Sequence, residues 1–186
     1  STFYTNLKKL DFSGSDFSRT PEFSTHLYYL DFSRADLRNT NFSGYITNEY
    51  GEAGLVNMKF IEAKLMGSNF SGNTMRHCDF SRARLSMANF SDTIIRKMPL
   101  CKFPDINAPN INFTNSHIEG DMHGDDVIKF VDFTNASLTG ASLTGANFTG
   151  ATLKGIDFSG TNLRKTDFRN AHLVYNIFDN ASIFAG

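Results

Sequence analysis

The densest group of side chains able to bind a metal or move a proton is the run His117-Ile118-Glu119-Gly120-Asp121-Met122-His123-Gly124-Asp125-Asp126. Imidazoles and carboxylates together are the donors of zinc-type sites, but compact sites bring their ligands in at short, paired spacings that this run does not follow. It reads as a degenerate repeat with solvated acidic side chains. Cys78 and Cys101 each stand two residues before a phenylalanine, Phe80 and Phe103. That position suits a small buried hydrophobe better than a disulfide or a nucleophilic thiol, and it is compatible with a reducing compartment. His26, His117 and His172 each precede a large apolar residue and are expected to point outward. No Ser-His-Asp or Cys-His set can be assembled. The glycines between Leu138 and Gly160 recur every five residues rather than forming a phosphate loop ahead of a helix. The expectation is a chain without catalysis, cofactor or metal.

The elements that would have to position any chemistry are unusual. Large apolar residues recur every fifth position from Phe133 through Leu138, Leu143, Phe148, Leu153, Phe158, Leu163, Phe168, Leu173 and Phe178 to Ile183. The residue two before each is usually small. A period of five fits neither a 3.6-residue helix nor a 2-residue strand, so the chain must turn a corner every five residues and stack one short unit many times. Two earlier registers continue the pattern, one over Leu7–Phe42 and one over Leu55–Leu100. Glu22 falls on a centre beside Pro21 and Phe23, which predicts a bulged corner. Phase breaks occur near Gly44–Gly54 and at Leu100-Cys101-Lys102-Phe103.

Ala35-Asp36-Leu37, Ala88-Asn89-Phe90 and Ala146-Asn147-Phe148 resemble the unit of the pentapeptide-repeat family, Ala-(Asp/Asn)-Leu/Phe-X-X, and the likeness runs through nearly the whole chain. The resemblance implies an all-β fold: a right-handed, four-sided parallel β-helix with four repeats per coil and about nine coils. It would carry one loop insertion near 44–54 and an irregular stretch near 97–128, all in a single domain, 1–186. In that geometry the central Phe or Leu fills the axis, the small residue two before it also points inward, and the other three positions meet water. Gly and Ser after the centre suit the corners.

With four repeats per coil, residues twenty apart share a wall. Leu138, Phe158 and Phe178 then form one ladder opposite Phe148 and Phe168, and Phe60, Phe70, Phe80 and Phe90 alternate with Leu55, Leu65, Met75 and Leu85. Aromatics on two opposed walls explain nineteen Phe and no Trp, since an indole N–H would lack a partner on the axis. A net charge of −1 with 20% charged residues offers no polybasic surface for direct nucleic-acid binding, and no apolar run reaches membrane-spanning length. The pattern begins and ends without a capping helix, so either the chain is a fragment of a longer protein or an uncapped end is covered by a second copy in a homodimer.

Two functions follow from the resemblance. The first is a non-catalytic protein–protein interaction scaffold, as in the binding module of a larger bacterial effector-like protein. It would be cytoplasmic, or secreted if part of such a protein. The alternative is mimicry of DNA, as in the quinolone-resistance members of the family that bind DNA gyrase or topoisomerase IV. Mimicry requires a strip of uncompensated negative charge, whereas here acids and bases alternate, as in Arg164, Lys165, Asp167 and Arg169. The scaffold is therefore preferred. Its partner-facing candidates are Tyr45, Ile46, Glu49, Tyr50 and Glu52 of the first insertion, read as exposed, because loops carry recognition on rigid scaffolds. Lys97–Asn110 is the lesser candidate. The opposing reading makes the insertion a lid folded over the wall.

Overall fold

The structure is a computed structural model that describes residues 5–18, 27–45, 54–95, 101–103, 106–108, 110–118, 138, 141–143, 146, 148 and 152–182. Every strand pairing among them is parallel. The strands are two or three residues long because a corner follows almost at once: β1 (Thr5–Asn6), β2 (Leu27–Tyr28), β3 (Leu30–Asp31), β4 (Leu55–Val56), β5 (Met75–Arg76), β6 (Ile94–Ile95), β7 (His117–Ile118), β8 (Thr152–Lys154) and β9 (His172–Val174). They pair as β1-β3, β2-β4-β5, β6-β7 and β8-β9. Single bridges supply the rest. Lys59↔Asp79, Lys64↔Arg84, Asn69↔Asn89 and Thr74↔Ile94 lie five residues apart within one coil and define four walls.

One wall can be followed through Asp16, Asn41, Asn69, Asn89, Asn112, Ser142, Asn162 and Ser182, each paired with the next. This gives eight levels, about 34 Å at ordinary strand spacing, where the period alone predicts about nine. The difference lies in coil length. The offset is twenty from Asn69 to Asn89, but the numbering of the same pairs gives 25 from Asp16 to Asn41, 28 from Asn41 to Asn69, 23 from Asn89 to Asn112 and 30 from Asn112 to Ser142. The stretch expected to be irregular near 97–128 is regular wall where described, since Lys102, Asn107, Asn112 and His117 all pair with the coil before. Residues 119–128, and with them most of the His117–Asp126 run, lie outside the described residues, as does Glu22.

The corners share one geometry. The amide three residues after a centre donates to the centre's carbonyl, as Ala35 N–H does to Phe32 and Ala63 N–H to Phe60. The residue two after the centre takes positive φ, as in a type II turn; Gly14, Gly67, Gly72, Gly155 and Gly160 do so, and Arg34, Glu62, Met87 and Tyr175 do so at the cost a Cβ imposes. The acid or amide before the centre secures the turn by accepting the N–H two residues on, as Asp11 does from Ser13 and Asn69 from Ser71.

Inside, Phe32, Phe60, Phe80 and Phe103 stack in one ladder with centroids 5.7, 4.8 and 4.8 Å apart. Phe17, Phe42, Phe70 and Phe90 stack on the opposite wall at 5.0, 5.0 and 4.8 Å. The ladders meet edge to face, as Phe60 meets Phe70 at 83°. The pairing of Asn112 with Ser142 then sets Leu143 on the wall of Phe113, so the aromatic ladders pass to the other two walls. There Phe148 stacks on Phe168 and Phe158 on Phe178, while Leu153 aligns with Leu173. The inward slot two before the centre holds buried Ala35, Ala63, Cys78, Ala83, Ala88 and Cys101 as expected. Where it holds Thr40, Ser68, Thr93 or Ser116, the hydroxyl donates to the carbonyl three residues back. The slot is not always small: buried Ile106 and Ile111 occupy it around Ala108, a centre that is itself small. The volume lost at one position is restored at its neighbours.

Candidate partner-binding surface

The insertion at 46–53 is rooted firmly at both ends. Asn41 and Asn69 pair across a 28-residue coil, eight residues longer than that from Asn69 to Asn89, and 46–53 lie outside the described residues. At the departing end Gly44 has φ +92°, and Tyr45 follows. Tyr45 occupies the inward slot that Thr40 and Ala35 fill one and two repeats earlier. Its ring lies in the core at 6% exposure, and its hydroxyl donates to the Phe17 carbonyl at 2.6 Å. Its amide donates to Asn73 Oδ1 at 2.8 Å, and its carbonyl accepts the Thr74 amide at 2.8 Å. Asn73 is buried and also donates through Nδ2 to the Phe42 carbonyl at 2.8 Å, so one side chain replaces the backbone pairing that the insertion interrupts.

At the returning end Gly54 has φ +126°, and a Cβ there would lie 2.2 Å from the Thr74 carbonyl oxygen. That oxygen accepts the Leu55 amide at 2.9 Å. Of the five sequence candidates, the structure therefore places Tyr45 in the core as an anchor, correcting its reading as an exposed contact. Ile46, Glu49, Tyr50 and Glu52 lie outside the described residues. Exposed aromatics occur elsewhere, at Tyr28, Tyr29 and Tyr175. Within the lesser candidate, Lys97–Asn110, Cys101–Phe103 and Ile106–Ala108 belong to the wall, and the rest apart from Asn110 lies outside the described residues. Sequence reasoning missed Asn73, although an asparagine in a slot more often filled by Ala, Cys, Ser or Thr marks a place where a carboxamide has unusual partners.

The wall beside the first four coils is ionic. Lys8 pairs with Asp31 at 3.3 Å, and Arg34 and Arg82 both reach Glu62 at 2.7 Å. Burial pushes the Asp31 carboxyl up, but the Ser33 hydroxyl and amide together with Lys8 outweigh it and leave the group below its ordinary value. Hydrogen bonds from Arg34 and then Arg82 lower Glu62. On the adjacent wall Arg38 chelates Asp36 through Nε and Nη2 at 2.7 and 2.8 Å, and Lys64 adds a third contact at 3.3 Å. The Arg38 hydrogen bonds hold Asp36 down to about 2 despite some desolvation. These carboxylates are compensated, which is the opposite of an uncompensated acidic strip.

Cys78 and Cys101 are free and fully buried in the same slot of successive coils. Cys78 donates to the Leu55 carbonyl at 3.3 Å. Burial, with Cys78 alongside, pushes the Cys101 thiol well up, so it stays protonated. Among the described residues no three His, Cys, Asp or Glu side chains converge on a metal position, and no helix is long and apolar enough to cross a membrane.

No curated protein matches the sequence. Among solved structures, the chain is similar to the plasmid-mediated fluoroquinolone resistance protein QnrB1 (19% identity, 95% of this chain and 91% of that one, TM-score 0.46). It is also similar to HetL, a pentapeptide repeat protein involved in heterocyst differentiation regulation in Nostoc sp. strain PCC 7120 (19% identity, 96% and 87%, TM-score 0.33). A third is a pentapeptide repeat protein of the Arabidopsis thaliana thylakoid lumen (24% identity, 74% and 68%, TM-score 0.25). The model of pentapeptide repeats matches eight copies, at residues 24–44, 55–97, 129–164 and 153–183, which is more than half of the chain. With five-residue corners, four walls and inward Phe and Leu ladders, this establishes that the chain belongs to the pentapeptide-repeat family.

Proposed function

We propose that this chain is a non-catalytic protein–protein interaction scaffold that presents the 46–53 insertion to another protein from a rigid wall. The observation that carries the reading is the double rooting of the insertion through Tyr45 and Gly54, both tied to the Asn73–Thr74 edge. A segment with fixed ends loses less freedom on binding than a free tail, which favours recognition. Tyr45 is the anchor in this arrangement, and Ile46, Glu49, Tyr50 and Glu52 are the contact candidates. The compensated charge of the neighbouring walls supports a scaffold over a mimic of DNA. Replacing Ile46–Glu52 with a Gly-Ser linker, keeping Tyr45 and Gly54, is expected to leave stability within about 1 kcal/mol, since exposed loops contribute little to a core. The same replacement should abolish cross-linking to the natural partner in an extract of the source organism. Retained cross-linking by the folded variant would move recognition onto the walls. Loss of the fold would make the insertion a lid.

A further inference from the structure

Beside the ionic wall lies a groove of about 300 Å³ whose lining includes five cations, Lys8, Lys9, Arg34, Lys59 and Arg82, against two carboxylates, Asp31 and Glu62. The cations come from four successive coils, so the groove runs about 14 Å along the axis at ordinary strand spacing. Its charges do not cancel internally. Glu62 alone serves two guanidinium groups, taking Nε of Arg34 and both Nε and Nη2 of Arg82. Those side chains remain 60% and 58% exposed. A guanidinium carries five N–H donors, so each keeps outward donors in a fork that fits a further carboxylate. Lys8 is paired with Asp31, whereas Lys9 is exposed and makes no ion pair among the described residues. Ile61 sits in the lining between the charged rows.

We propose that this groove binds an acidic, extended segment of a partner protein, about four or five residues long at some 3.3 Å per residue. The proposal rests on the scaffold reading and names the chemistry of its partner. The surplus of cations supplies the attraction. Asp31 and Glu62 tell against a phosphate backbone, because two carboxylates in the lining repel a continuous polyanion. Among the described residues the lining also holds no aromatic side chain on which unpaired bases would stack. A peptide tolerates both features, since its carboxylates can be spaced to avoid the acids and its backbone can lie across Ile61.

The test is a fluorescence-anisotropy titration of the full chain with a labelled hexapeptide of alternating Glu and Ser. An all-Ser hexapeptide and a single-stranded oligonucleotide of equal length serve as comparisons. The acidic peptide is expected to bind at least about tenfold more tightly than the neutral one and to weaken with salt, as screened charge pairs do. Lys9→Glu combined with Arg82→Gln should remove that preference. Lys9→Glu alone, at an exposed side chain with no ion-pair partner among the described residues, should reduce it several-fold and serves as the readout if the double variant perturbs the fold. Binding should persist when Ile46–Glu52 is replaced. Equal binding of acidic and neutral peptides, an unchanged preference in the folded Lys9→Glu variant, or tighter binding of the oligonucleotide would each overturn the proposal. The scaffold reading would still stand if replacement of the insertion abolishes partner cross-linking.

Discussion

Substituting alanine at two glycines separates what the corners cost from what the root of the insertion costs. Gly72 sits at an ordinary corner with φ +65°, and a Cβ there meets nothing within 4 Å. The penalty for Gly72→Ala is then conformational alone. An L-residue in the left-handed region costs roughly 1–2 kcal/mol, and the stiffer unfolded chain returns about 0.4–1 kcal/mol, which leaves a loss near 1 kcal/mol. Gly54→Ala begins from φ +126°, outside the left-handed well that other corners use, and drives its Cβ to 2.2 Å from the Thr74 carbonyl oxygen and 3.0 Å from its carbon. Backbone has to move by about 1 Å to restore ordinary contact, and the oxygen concerned accepts the Leu55 amide. Strained backbone at roughly 1–3 kcal/mol plus overpacking at about 1–3 kcal/mol puts the loss near 3–4 kcal/mol. Urea unfolding followed by circular dichroism would measure both. Losses equal within about 0.5 kcal/mol would refute the claim that Gly54 holds the insertion by close approach to Thr74.

The aromatic ladder makes a second prediction. Phe70 is fully buried and stacks on Phe42 and Phe90 while meeting Phe60 and Phe80 edge-on, so Phe70→Ala should cost about 4–5 kcal/mol, the upper part of the range for buried phenylalanine. Phe178 is 36% exposed and, among the described residues, stacks only on Phe158, so Phe178→Ala should cost less than half as much; equal losses by urea unfolding would mean that the core is not graded along the axis. Acid gives a third. Arg38 and Lys64 lower Asp36 from 3.8 to about 2, so its ion pairs stabilise the fold fully above 3.8 and the contribution is lost as pH falls from there toward 2. Arg38→Ala should flatten that part of the decline in urea midpoint, and an unchanged slope would remove Asp36 from the acid response.

What the sequence made legible depended on phase. Alternating Phe and Leu centres twenty residues apart predicted the stacking of Phe60 on Phe80 and of Phe158 on Phe178, because period and coil length agree there. The eight and three residues by which the coils spanning Asn41–Asn69 and Asn89–Asn112 exceed twenty break a five-residue phase and are visible as interruptions. The coil from Asp16 to Asn41 carries five extra residues, and that from Asn112 to Ser142 carries ten. Each is a whole number of repeats, so the apolar phase is the same on both sides, with Glu22 on a centre as the mark of the first, and the eight levels along the described wall stand one below the nine that the period suggests. Tyr45 was misread for a related reason. It keeps the phase of the inward slot after Thr40, but its size and its place at the edge of a phase break suggested a loop.

The same arithmetic decides which charges meet. On a strict twenty-residue coil Lys9 would align with Tyr29 and Arg34 with Gly54, and the ionic groove would not exist. The observed offsets of 25, 28 and 20 instead carry the column from Lys9 through Arg34 and Glu62 to Arg82, with Arg34 and Arg82 converging on one carboxylate. A repeat scaffold of this kind has walls whose local chemistry is monotonous, and insertion length is what sets one row of side chains against another. Two coils longer than twenty residues, one keeping the apolar phase and one breaking it, thus still bring Lys9, Arg34, Glu62 and Arg82 into one column. Deleting five residues between Phe17 and Leu27 would set Arg34 twenty residues after Lys9, the regular offset of the Asn69–Asn89 coil, so the apolar phase and the Lys9–Arg34 column are both expected to survive, and loss of acidic-peptide binding in the folded variant would refute the column as the recognition surface.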